Sequence, residues 1–481
     1  MAGSALTLTS PANPVEGDKL TFHWTTDAPD AKNWVGIYDG TRKPGTGSSL
    51  LWKYTPAASG DVQLDTSALT GGPYTAYLLA KDGYGILAQT APFTFRPRPA
   101  VVAPHSAVDA LTTAPVAPGA AVSVKLGGLW SRPAGNPAGT AAFRKVSGPA
   151  WASVSADGTF TGTAPAGAPK NPEVVVVGVK DSAGATDTVT VQIPVVDPAG
   201  QLRLKAASWN LANAGAAFTD GLEKQLRVVL TQGLDVLALQ ETAGTAAQTL
   251  ATALGWYAYQ SAGSVGILSR YPLTAVTPVT DALPAAGATL QLPGGRTVRF
   301  WAAHLDESGY GPYAVQDGQS AAQVTAAENA SVRVQQARAL AAAVQADAAG
   351  RTPVVVAGAL SSPSHLDWTA ATAAAHGGLG PLAWPVTTVL QGAGLTDSFR
   401  EENRDPVKAP GCTWSPVRKQ RAVGKAEPQD RIDYVLYAGP LKLVEAHTLV
   451  ADWPATGTDQ AAVAANQWPS DTAAAVATFR F

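Results

Sequence analysis

The first part of the chain alternates apolar and polar residues in short runs up to about residue 95. Turn-forming Gly, Pro, Asp and Ser separate these runs, which are KLTFHWTT, WVGIYDG, LLWKYT, VQLDTS and YTAYLLAKDG. Alternation with a period of two between turn residues is typical of the strands of a β-sandwich. We therefore predict an all-β, immunoglobulin-like sandwich over residues 1–97.

A second β-rich region follows a segment rich in Pro and Ala. Residues 98–119 show no hydrophobic periodicity, which predicts a stiff linker. Alternating runs resume from residue 120, and the piece VSGPAWASVSADGTFTGTAP resembles the cadherin-like repeats of exported multidomain proteins. This predicts a second immunoglobulin-like module over 120–200, and for both modules a role as spacer or as weak binder of carbohydrate or surfaces is the simplest expectation.

After residue 201 the pattern changes. Apolar runs typical of strands now alternate with segments of helical periodicity. The runs that predict strands are LRLKAASWNL, DVLALQE, VGILSRYPL, TVRFWAAHL, TPVVVAG, RIDYVLY and AAVATFRF. Helical periodicity is clearest over 220–233 and over an Ala-rich segment that reaches Gly350. Residues 201–481 are therefore predicted to form one α/β domain.

The stretch VVVAGALSSPSHLDW combines several of these signals. Val354 to Gly358 is expected to be a strand buried on both faces. Ser364 and Asp367 have the spacing of a capping box, which predicts a helix through LDWTAATAAAH that Gly377 ends. A strand, a short loop and a helix start are where α/β enzymes place catalytic residues, yet the loop offers only Ala359, Leu360 and two serines.

Composition narrows the functional classes. The 481 residues include 34 Lys plus Arg and 36 Asp plus Glu, so no overall basic field exists to hold a long nucleic acid. Cys412 is the only cysteine, which excludes an intrachain disulfide and a Cys-rich zinc site. No apolar run is long enough for a membrane span, and we expect a monomer.

The N-terminal sequence MAGSALTLTS lacks the basic and apolar regions of a signal peptide. The β-rich modules are nevertheless typical of exported proteins. We therefore expect a secreted or extracellular protein whose signal has been removed.

Polar residues recur where the predicted strands of the α/β domain end. They are Asn210, Gln240, Glu241, His304, Asp433, Ser470 and Asp471. Taken singly, each has a simple structural explanation, such as a turn cap or a buried structural histidine. Their joint arrangement points to a site.

The order of the motifs in this domain resembles that of the endonuclease/exonuclease/phosphatase superfamily. The matching pieces are SWNL, LQE, VGILSRYPL, AAHL, SPSHLDW, TWSP, QDRIDY and WPSD. The resemblance implies two packed mixed sheets flanked by helices. It also implies that Asn210 and Glu241 belong to a divalent-metal site that Asp471 supports, that His304 and Asn210 contact the phosphate, and that Asp433 orients a catalytic histidine.

Three positions depart from that family pattern. The strand VVVAG should continue with Asp, an apolar residue and Asn, and here Ala359 and Ser361 replace the water-activating Asp and the phosphate-binding Asn. The family's Ser-Asp-His near the C-terminus is Ser470, Asp471 and Thr472, so the histidine expected beside Asp433 is missing. Hydrolysis is therefore expected to be weak, lost or redirected.

A metal site is still expected. Glu241, Asn210 and Asp471 offer only oxygen ligands, which suit Mg²⁺ or Mn²⁺, with Ca²⁺ as a third candidate. The loop VRKQRAVGK brings Arg418 and Lys419 near the mouth of such a site, where they could bind an anionic substrate, although a solvated basic loop is the simpler explanation.

Several functions stay open at this point. The first is a metal-dependent phosphoesterase acting on a phosphodiester or phosphomonoester with an impaired site. The second is a protein that binds a phosphorylated or anionic small molecule without hydrolysing it, and the third is an engineered variant of an active phosphodiesterase. A serine hydrolase built from Ser361 or Ser362, His304 and Asp433 is disfavoured, because the GxSxG elbow is absent from GALSS.

Overall fold

A computed structural model describes residues 3–97, 101–196, 202–348, 352–452, 455–456 and 460–481. The chain divides into two compact units, one up to Val102 and one from Ala103 onward. Among the described residues, no helix is long and apolar enough to cross a membrane.

The first unit is all-β. Its strands are β1 (Ala5–Ser10), β2 (Leu20–Thr25), β3 (Trp34–Asp39), β4 (Leu51–Tyr54), β5 (Ser59–Leu64), β6 (Tyr74–Ala80) and β7 (Gly85–Gln89). They form two antiparallel sheets with the orders β1-β2-β5 and β4-β3-β6-β7. The alternation places Phe22, Val35 and Leu78 in the core between them. The expected β content is confirmed, and the immunoglobulin-like identity stays a prediction.

The second unit begins with a further set of strands. They are β8 (His105–Ser106), β9 (Ala110–Thr112), β10 (Ala121–Lys125), β11 (Trp130–Ser131), β12 (Ala141–Ser147), β13 (Ala152–Val154), β14 (Thr159–Thr163), β15 (Glu173–Asp181) and β16 (Thr186–Ile193). The sheets have the orders β10-β14-β13, β11-β8 and β12-β15-β16-β9.

The segment 98–119, predicted as a linker, instead contributes strands β8 and β9. Leu111 pairs with Val191 in a parallel arrangement, and Ala107, Val108 and Leu111 are buried. The linker prediction is therefore wrong from Ala103 onward. The segment is rich in Pro and Ala and shows no periodicity, so the few residues that pack could not be recognised from the sequence. Residues 98–100 and the expected module end at 197–201 lie outside the described residues.

The remaining strands and helices alternate as the sequence predicts for an α/β domain. The strands are β17 (Arg203–Asn210), β18 (Val236–Gln240), β19 (Tyr257–Gln260), β20 (Gly266–Ser269), β21 (Leu273–Thr277), β22 (Ala285–Leu292), β23 (Arg296–His304), β24 (Val354–Ala359), β25 (Thr396–Asp397), β26 (Asp433–Ala438), β27 (Lys442–Leu449) and β28 (Ala474–Arg480). The helices are α1 (Gly221–Thr231), α2 (Ala246–Leu254), α3 (Gly311–Gln316), α4 (Ala321–Ala330), α5 (Val332–Ala348), α6 (Pro385–Gly392), α7 (Ser398–Glu402) and α8 (Gln460–Ala464).

Two six-stranded mixed sheets pack face to face in this domain. Their orders are β19-β20-β18-β17-β28-β27 and β21-β22-β23-β24-β26-β25, and in each sheet one pair of strands is parallel, β17 with β18 and β23 with β24. Many of the residues between the sheets are small, and these include Ala206, Ala238, Ala288, Ala302, Ala357 and Ala477. Helices α1 and α2 cover the outer face of the first sheet, and α5 and α6 cover that of the second. The expected architecture of two mixed sheets flanked by helices is confirmed.

The β-rich part of the second unit shares one hydrophobic core with α1 and α2. Leu126, Leu129 and Phe160 belong to the same buried cluster as Leu226 and Leu250. The predicted boundary at residue 201 thus falls within one compact unit.

A glycine allows the closest approach in this shared core. A Cβ added to Gly128 would lie 2.4 Å from the Cα of Ala253, so only glycine lets the loop after β10 reach α2.

The predicted capping box at Ser364 is wrong. Residues Ala370–His376 form a 3₁₀-helix that begins after Thr369, and its end at Gly377, with φ of 65°, is as expected. Asp367 does not cap because its carboxylate pairs with the buried guanidinium groups of Arg400 and Arg431. A tertiary ion pair has overridden the local capping preference.

Candidate functional site

The candidate site lies at the end of the two-sheet core, where the alternation of the strands carries polar residues into the gap between the sheets. In β23, Phe300 and Ala302 face the other sheet, and His304 is next in that series. In β24, Ala359 follows Val355 and Ala357 in the same way. A period of two therefore determines which face each strand-end residue occupies.

The strand register aligns three of the predicted residues at one edge of the second sheet. His304 pairs with Ala359 across the parallel strands β23 and β24. Ala359 in turn pairs with Asp433 across the antiparallel strands β24 and β26. In the first sheet, Asn210 pairs with Gln240, which places Glu241 immediately beyond that edge.

These strand ends open into a cavity of about 1010 Å³. The predicted residues that line it are Asn210, Glu241, His304, Ala359, Ser361, Arg418, Asp433, Asp471 and Thr472. Lys419 is not among the lining residues, because its ammonium group donates to the carbonyl of Ser415 and to Oε1 of Gln429. The expected contact of Lys419 with substrate is therefore not supported by its position.

The carboxylate of Glu241 is held by two nitrogen donors. Nδ2 of Asn210 donates to Oε1 over 2.8 Å, and the backbone N–H of Asn213 donates to Oε2 over 3.0 Å. Oδ1 of Asn210 accepts from the backbone N–H of Ala212, which fixes the orientation of the amide. Glu241 and Asn213 have φ angles of 50° and 55°, a left-handed conformation that non-glycine residues adopt at a cost.

Asp433 is fully buried, and neither oxygen of its carboxyl group has a hydrogen-bond partner among the described residues. Burial raises the pKa of Asp433 to about 7; the nearby hydroxyl of Thr413, which does not meet the geometry of a hydrogen bond to the carboxyl group, opposes the shift, and the carboxylates of Asp471 and Glu241 add to it. An unpartnered buried carboxyl group costs stability unless it is protonated or a ligand supplies a partner.

Thr472 does not supply the partner that Asp433 lacks. Its hydroxyl donates to Oδ1 of Asp471 over 3.3 Å, and its backbone N–H donates to the hydroxyl of Ser470. A threonine hydroxyl cannot carry the positive charge that would pair with a buried carboxylate.

Asp471 is paired with the one arginine that lines the cavity among the described residues. Nε and Nη2 of Arg418 lie 2.9 Å and 2.7 Å from Oδ2 of Asp471, and the guanidinium group lies over the ring of Trp414. Burial raises the pKa of Asp471, whereas Arg418 opposes the shift. The side chain of Arg418 is 59% exposed, so its remaining donors are open to a ligand.

His304 is fixed from the side of the first sheet. Its Nδ1 forms a 2.7 Å hydrogen bond with the hydroxyl of Ser264. Burial lowers the pKa of His304, although Glu241 opposes this shift. A neutral imidazole is therefore favoured at neutral pH, and it can exchange hydrogen bonds with a phosphoryl group.

Ser361 also has a left-handed backbone, with φ of 52°. Its hydroxyl donates to the carbonyl of Leu305. Asparagine adopts this backbone region far more readily than serine does. The conformation at 361 thus suits the asparagine that the resemblance predicts there better than the serine present.

Several residues that line the cavity were not predicted from the sequence. These are Asn213, Phe218, Glu307, Tyr310, Tyr313 and Trp414. Tyr310 and Tyr313 pack edge to face, and their hydroxyls donate to Asp430 and Glu427. They come from α3 and the loop before it, where no strand-end pattern marks them. Trp414 lies in the TWSP motif and Asn213 follows SWNL, so these two residues had a local signal in the sequence.

The residues of the cavity fit a hard cation only with help from water or ligand oxygens. Among the described residues, no three His, Cys, Asp or Glu side chains are close enough to hold a metal ion. Glu241 and Asp471 supply carboxylate oxygens to the cavity. One or two carboxylates completed by water and phosphate oxygens are the usual surroundings of Mg²⁺.

Comparisons with known proteins agree with this architecture. Residues 207–471 match the model of the Endonuclease/Exonuclease/phosphatase family. An uncharacterised protein of Caenorhabditis elegans is 33% identical over 251 residues, which cover 50% of this chain and 79% of that protein.

Two solved structures give weaker matches. An endonuclease/exonuclease/phosphatase from Beutenbergia cavernae is 18% identical, with 58% of this chain and 72% of that chain covered and a TM-score of 0.37. The human OSCAR ligand-binding domain is 16% identical, with 40% of this chain and 98% of that chain covered and a TM-score of 0.16. Because the family model matches more than half of the chain, the chain belongs to the endonuclease/exonuclease/phosphatase family.

Proposed function

We propose that the cavity of the C-terminal domain binds a phosphate ester with the help of a divalent cation and does not hydrolyse it above the background rate. The observation that carries the proposal is the state of Asp433, a fully buried carboxyl group without a hydrogen-bond partner among the described residues, opposite Ala359 in a cavity that Thr472 also lines. Members of this family are typically metal-dependent phosphoesterases.

The residues that would bind the ester are present. Glu241, oriented by Asn210, and Asp471 would hold Mg²⁺ or Mn²⁺, and the cation would polarise a phosphoryl oxygen. His304 lines the same cavity and can exchange a hydrogen bond with the phosphate, and Arg418 offers exposed guanidinium donors at its edge. Binding therefore needs no residue that this chain lacks.

The residues that would activate water and stabilise the transition state are replaced. The methyl group of Ala359 has no oxygen, and the hydroxyl of Ser361 is engaged with the carbonyl of Leu305. A positioned general base contributes roughly 10² to 10⁴ in rate and one oxyanion donor roughly 10² to 10³. Because such residues act as a unit, the losses do not simply multiply, but hydrolysis should fall by several orders of magnitude.

Slow hydrolysis with Asp433 as the base is the second candidate. Burial raises the pKa of Asp433 to about 7, which is close to the pKa at which a general base works best at neutral pH. Asp433 lies across from the position where the family has its water-activating carboxylate.

The two candidates are separated by measuring binding and turnover on the same protein. The full chain is titrated calorimetrically with inorganic phosphate and with an aryl phosphate diester, with and without Mn²⁺, and release of the aryl alcohol is followed. We expect saturable, Mn²⁺-dependent binding that Glu241→Gln abolishes, with turnover at the buffer background. Glu402→Gln, which changes an exposed carboxylate on α7, is the matched control and should leave binding intact.

Turnover that depends on Mn²⁺ and disappears in both Glu241→Gln and Asp433→Asn would establish the second candidate instead. Failure of phosphate and ester to bind at millimolar concentration, in protein that still folds, would refute both.

A further inference from the structure

The first β unit has an unusual outer sheet face. In β3, Val35 and Ile37 point into the core of this unit, and Trp34 and Tyr38 point to the opposite side. The solvent side of such a sheet is ordinarily polar. Here Trp34, Tyr38, Tyr77 and Leu79 form a second buried cluster of their own.

Large apolar side chains extend this cluster into solvent. Trp52 and Tyr84 are each 54% exposed, Ile86 is 52% exposed and Tyr54 is 44% exposed. We call Trp34, Trp52, Tyr54 and Tyr84 the aromatic face. Exposed apolar residues that are grouped in this way, rather than scattered, mark interaction sites.

The rings of the aromatic face support one another. Trp34 packs edge to face with Trp52, with ring centroids 6.0 Å apart, and with Tyr84 at 6.2 Å. Trp52 packs in the same manner with Tyr54 at 5.1 Å. A Cβ at Gly36 would lie 2.6 Å from the ring of Trp34, so this ring covers the backbone of Gly36. Rings fixed in this way lose little entropy when a ligand binds.

Hydrogen-bonding groups without net charge lie at the edge of the aromatic face. The carboxylate of Asp82 accepts hydrogen bonds from the hydroxyl of Tyr54 and from the ammonium group of Lys32. The side chains of Lys32 and Asp82 are 65% and 39% exposed, so water or a ligand can reach them. Because the two charges neutralise each other, this edge does not favour a charged ligand.

We propose that the aromatic face binds a neutral polysaccharide. A pyranose ring has one face of C–H groups, which stacks on an aromatic ring, and a rim of hydroxyls, which exchange hydrogen bonds with groups such as Tyr54, Asp82 and Lys32. Anionic lipid or nucleic acid would be favoured by unpaired basic groups, whereas the ammonium group of Lys32 is paired with Asp82. The site lies in the first unit and does not involve the cavity of the C-terminal domain, so the inference goes beyond the proposed function.

The test uses the full chain and a panel of microcrystalline cellulose, chitin, xylan and dextran. Depletion from solution measures binding to the insoluble polymers, and mobility in gels that contain the polymer measures binding to the soluble ones. We expect saturable binding to at least one of them and a loss of affinity of about tenfold in Trp52→Ala and in Tyr84→Ala. Tyr257→Ala, which removes an exposed aromatic ring of the C-terminal domain, is the matched control and should not change the affinity.

Two further measurements keep the test decisive. Tyr84 lies in the turn between β6 and β7, so Tyr84→Ala tests the face even if Trp52→Ala does not fold. Tyr54→Phe keeps the ring and removes only the hydroxyl that bonds Asp82, and it should weaken binding less than the loss of a ring. Failure to bind any polymer, or binding that Trp52→Ala and Tyr84→Ala leave unchanged, overturns the proposal. Self-association or vesicle binding that these two variants abolish, without polymer binding, overturns it in favour of that partner.

Discussion

Ala359 lies directly opposite Asp433 in the antiparallel pair formed by β24 and β26, and both side chains line the cavity. Position 359, where the family resemblance predicts an aspartate, is thus next to a buried carboxyl group that has no hydrogen-bond partner among the described residues. An aspartate at 359 alone would place two acidic groups side by side without a cation between them.

Ala359→Asp alone should therefore destabilise the protein. We expect a loss of about 2 kcal/mol in the free energy of unfolding at pH 8, and a smaller loss at pH 5, where one of the two carboxyl groups can stay protonated. Chemical denaturation at both pH values measures the difference. Addition of Thr472→His should recover part of the loss, and additive effects of the two substitutions in a double-mutant cycle would contradict this account.

The triple variant Ala359→Asp, Ser361→Asn, Thr472→His should gain Mn²⁺-dependent hydrolysis of an aryl phosphate ester. A rise of at least about 10² over the parent chain is expected, most of it only when all three residues are present. Adding Glu241→Gln should abolish the gain, and adding Glu402→Gln should not. A folded triple variant that binds Mn²⁺ but hydrolyses no ester would show that the cavity has been rebuilt for another purpose.

Arg418→Gln should change metal and phosphate binding in opposite directions. Loss of the ion pair frees the carboxylate of Asp471, so Mn²⁺ should bind more tightly, whereas phosphate should bind about fivefold more weakly without the guanidinium donors. Calorimetry with each ligand separately measures both changes. Lys419→Gln is the control, because its ammonium group is held by Ser415 and Gln429. A decrease in the affinity for both ligands would mean that Arg418 organises the site as a whole.

Asp430 should make stability depend on pH. Its buried carboxyl group accepts hydrogen bonds from Trp368 and Tyr310, and burial raises its pKa to about 6. Because the folded state then binds the proton more tightly than the unfolded state, this contribution is fully present below about pH 4 and is lost as the pH rises through about 6.

Asp430→Asn has no carboxyl group that can titrate at this position. Comparison of the parent chain with this variant therefore isolates the contribution of Asp430. The free energy of unfolding of the parent chain relative to the variant should fall by on the order of 3 kcal/mol between pH 4 and pH 8. Denaturant titrations of both proteins across this range measure the difference, and a constant difference would contradict the raised pKa.

Gly128→Val should disrupt the packing of the β-rich segment against α2. The added side chain would meet the backbone of Ala253, and we expect a loss of about 2 kcal/mol or more in unfolding free energy. Gly167→Val is the matched control, since no atom of the described residues lies within 4 Å of a Cβ at that position. If both variants unfold at the same denaturant concentration, the close approach at Gly128 does not contribute to stability.

The sequence predicted the strands that carry the site because their signals are local. The apolar runs before Asn210, His304 and Ala359 each became a strand, and the alternation within each run placed these residues on the inner face. Parallel neighbours end at a common edge, so the clustering of strand-end residues was also accessible from the sequence.

The errors arose where distant residues decide the outcome. Asp367 has the spacing of a cap, but arginines at 400 and 431 capture its carboxylate. Leu111 sits in a segment of linker-like composition and pairs with Val191, 80 residues later. Lys419 belongs to a basic loop, yet its charge is turned towards Ser415 and Gln429. Local propensity contains no information about such partners.

The alanines between the two sheets have a consequence for how this protein can change. Because residues such as Ala206, Ala302 and Ala357 let the sheets approach closely, the strand ends are positioned by a core that contains none of the residues at 359, 361 and 472. Substitution at 359, 361 or 472 therefore alters the chemistry of the cavity without removing the interface that fixes its shape. Substitutions in the cavity can therefore change the reaction that it supports, and the loss of a catalytic group need not be followed by loss of the fold.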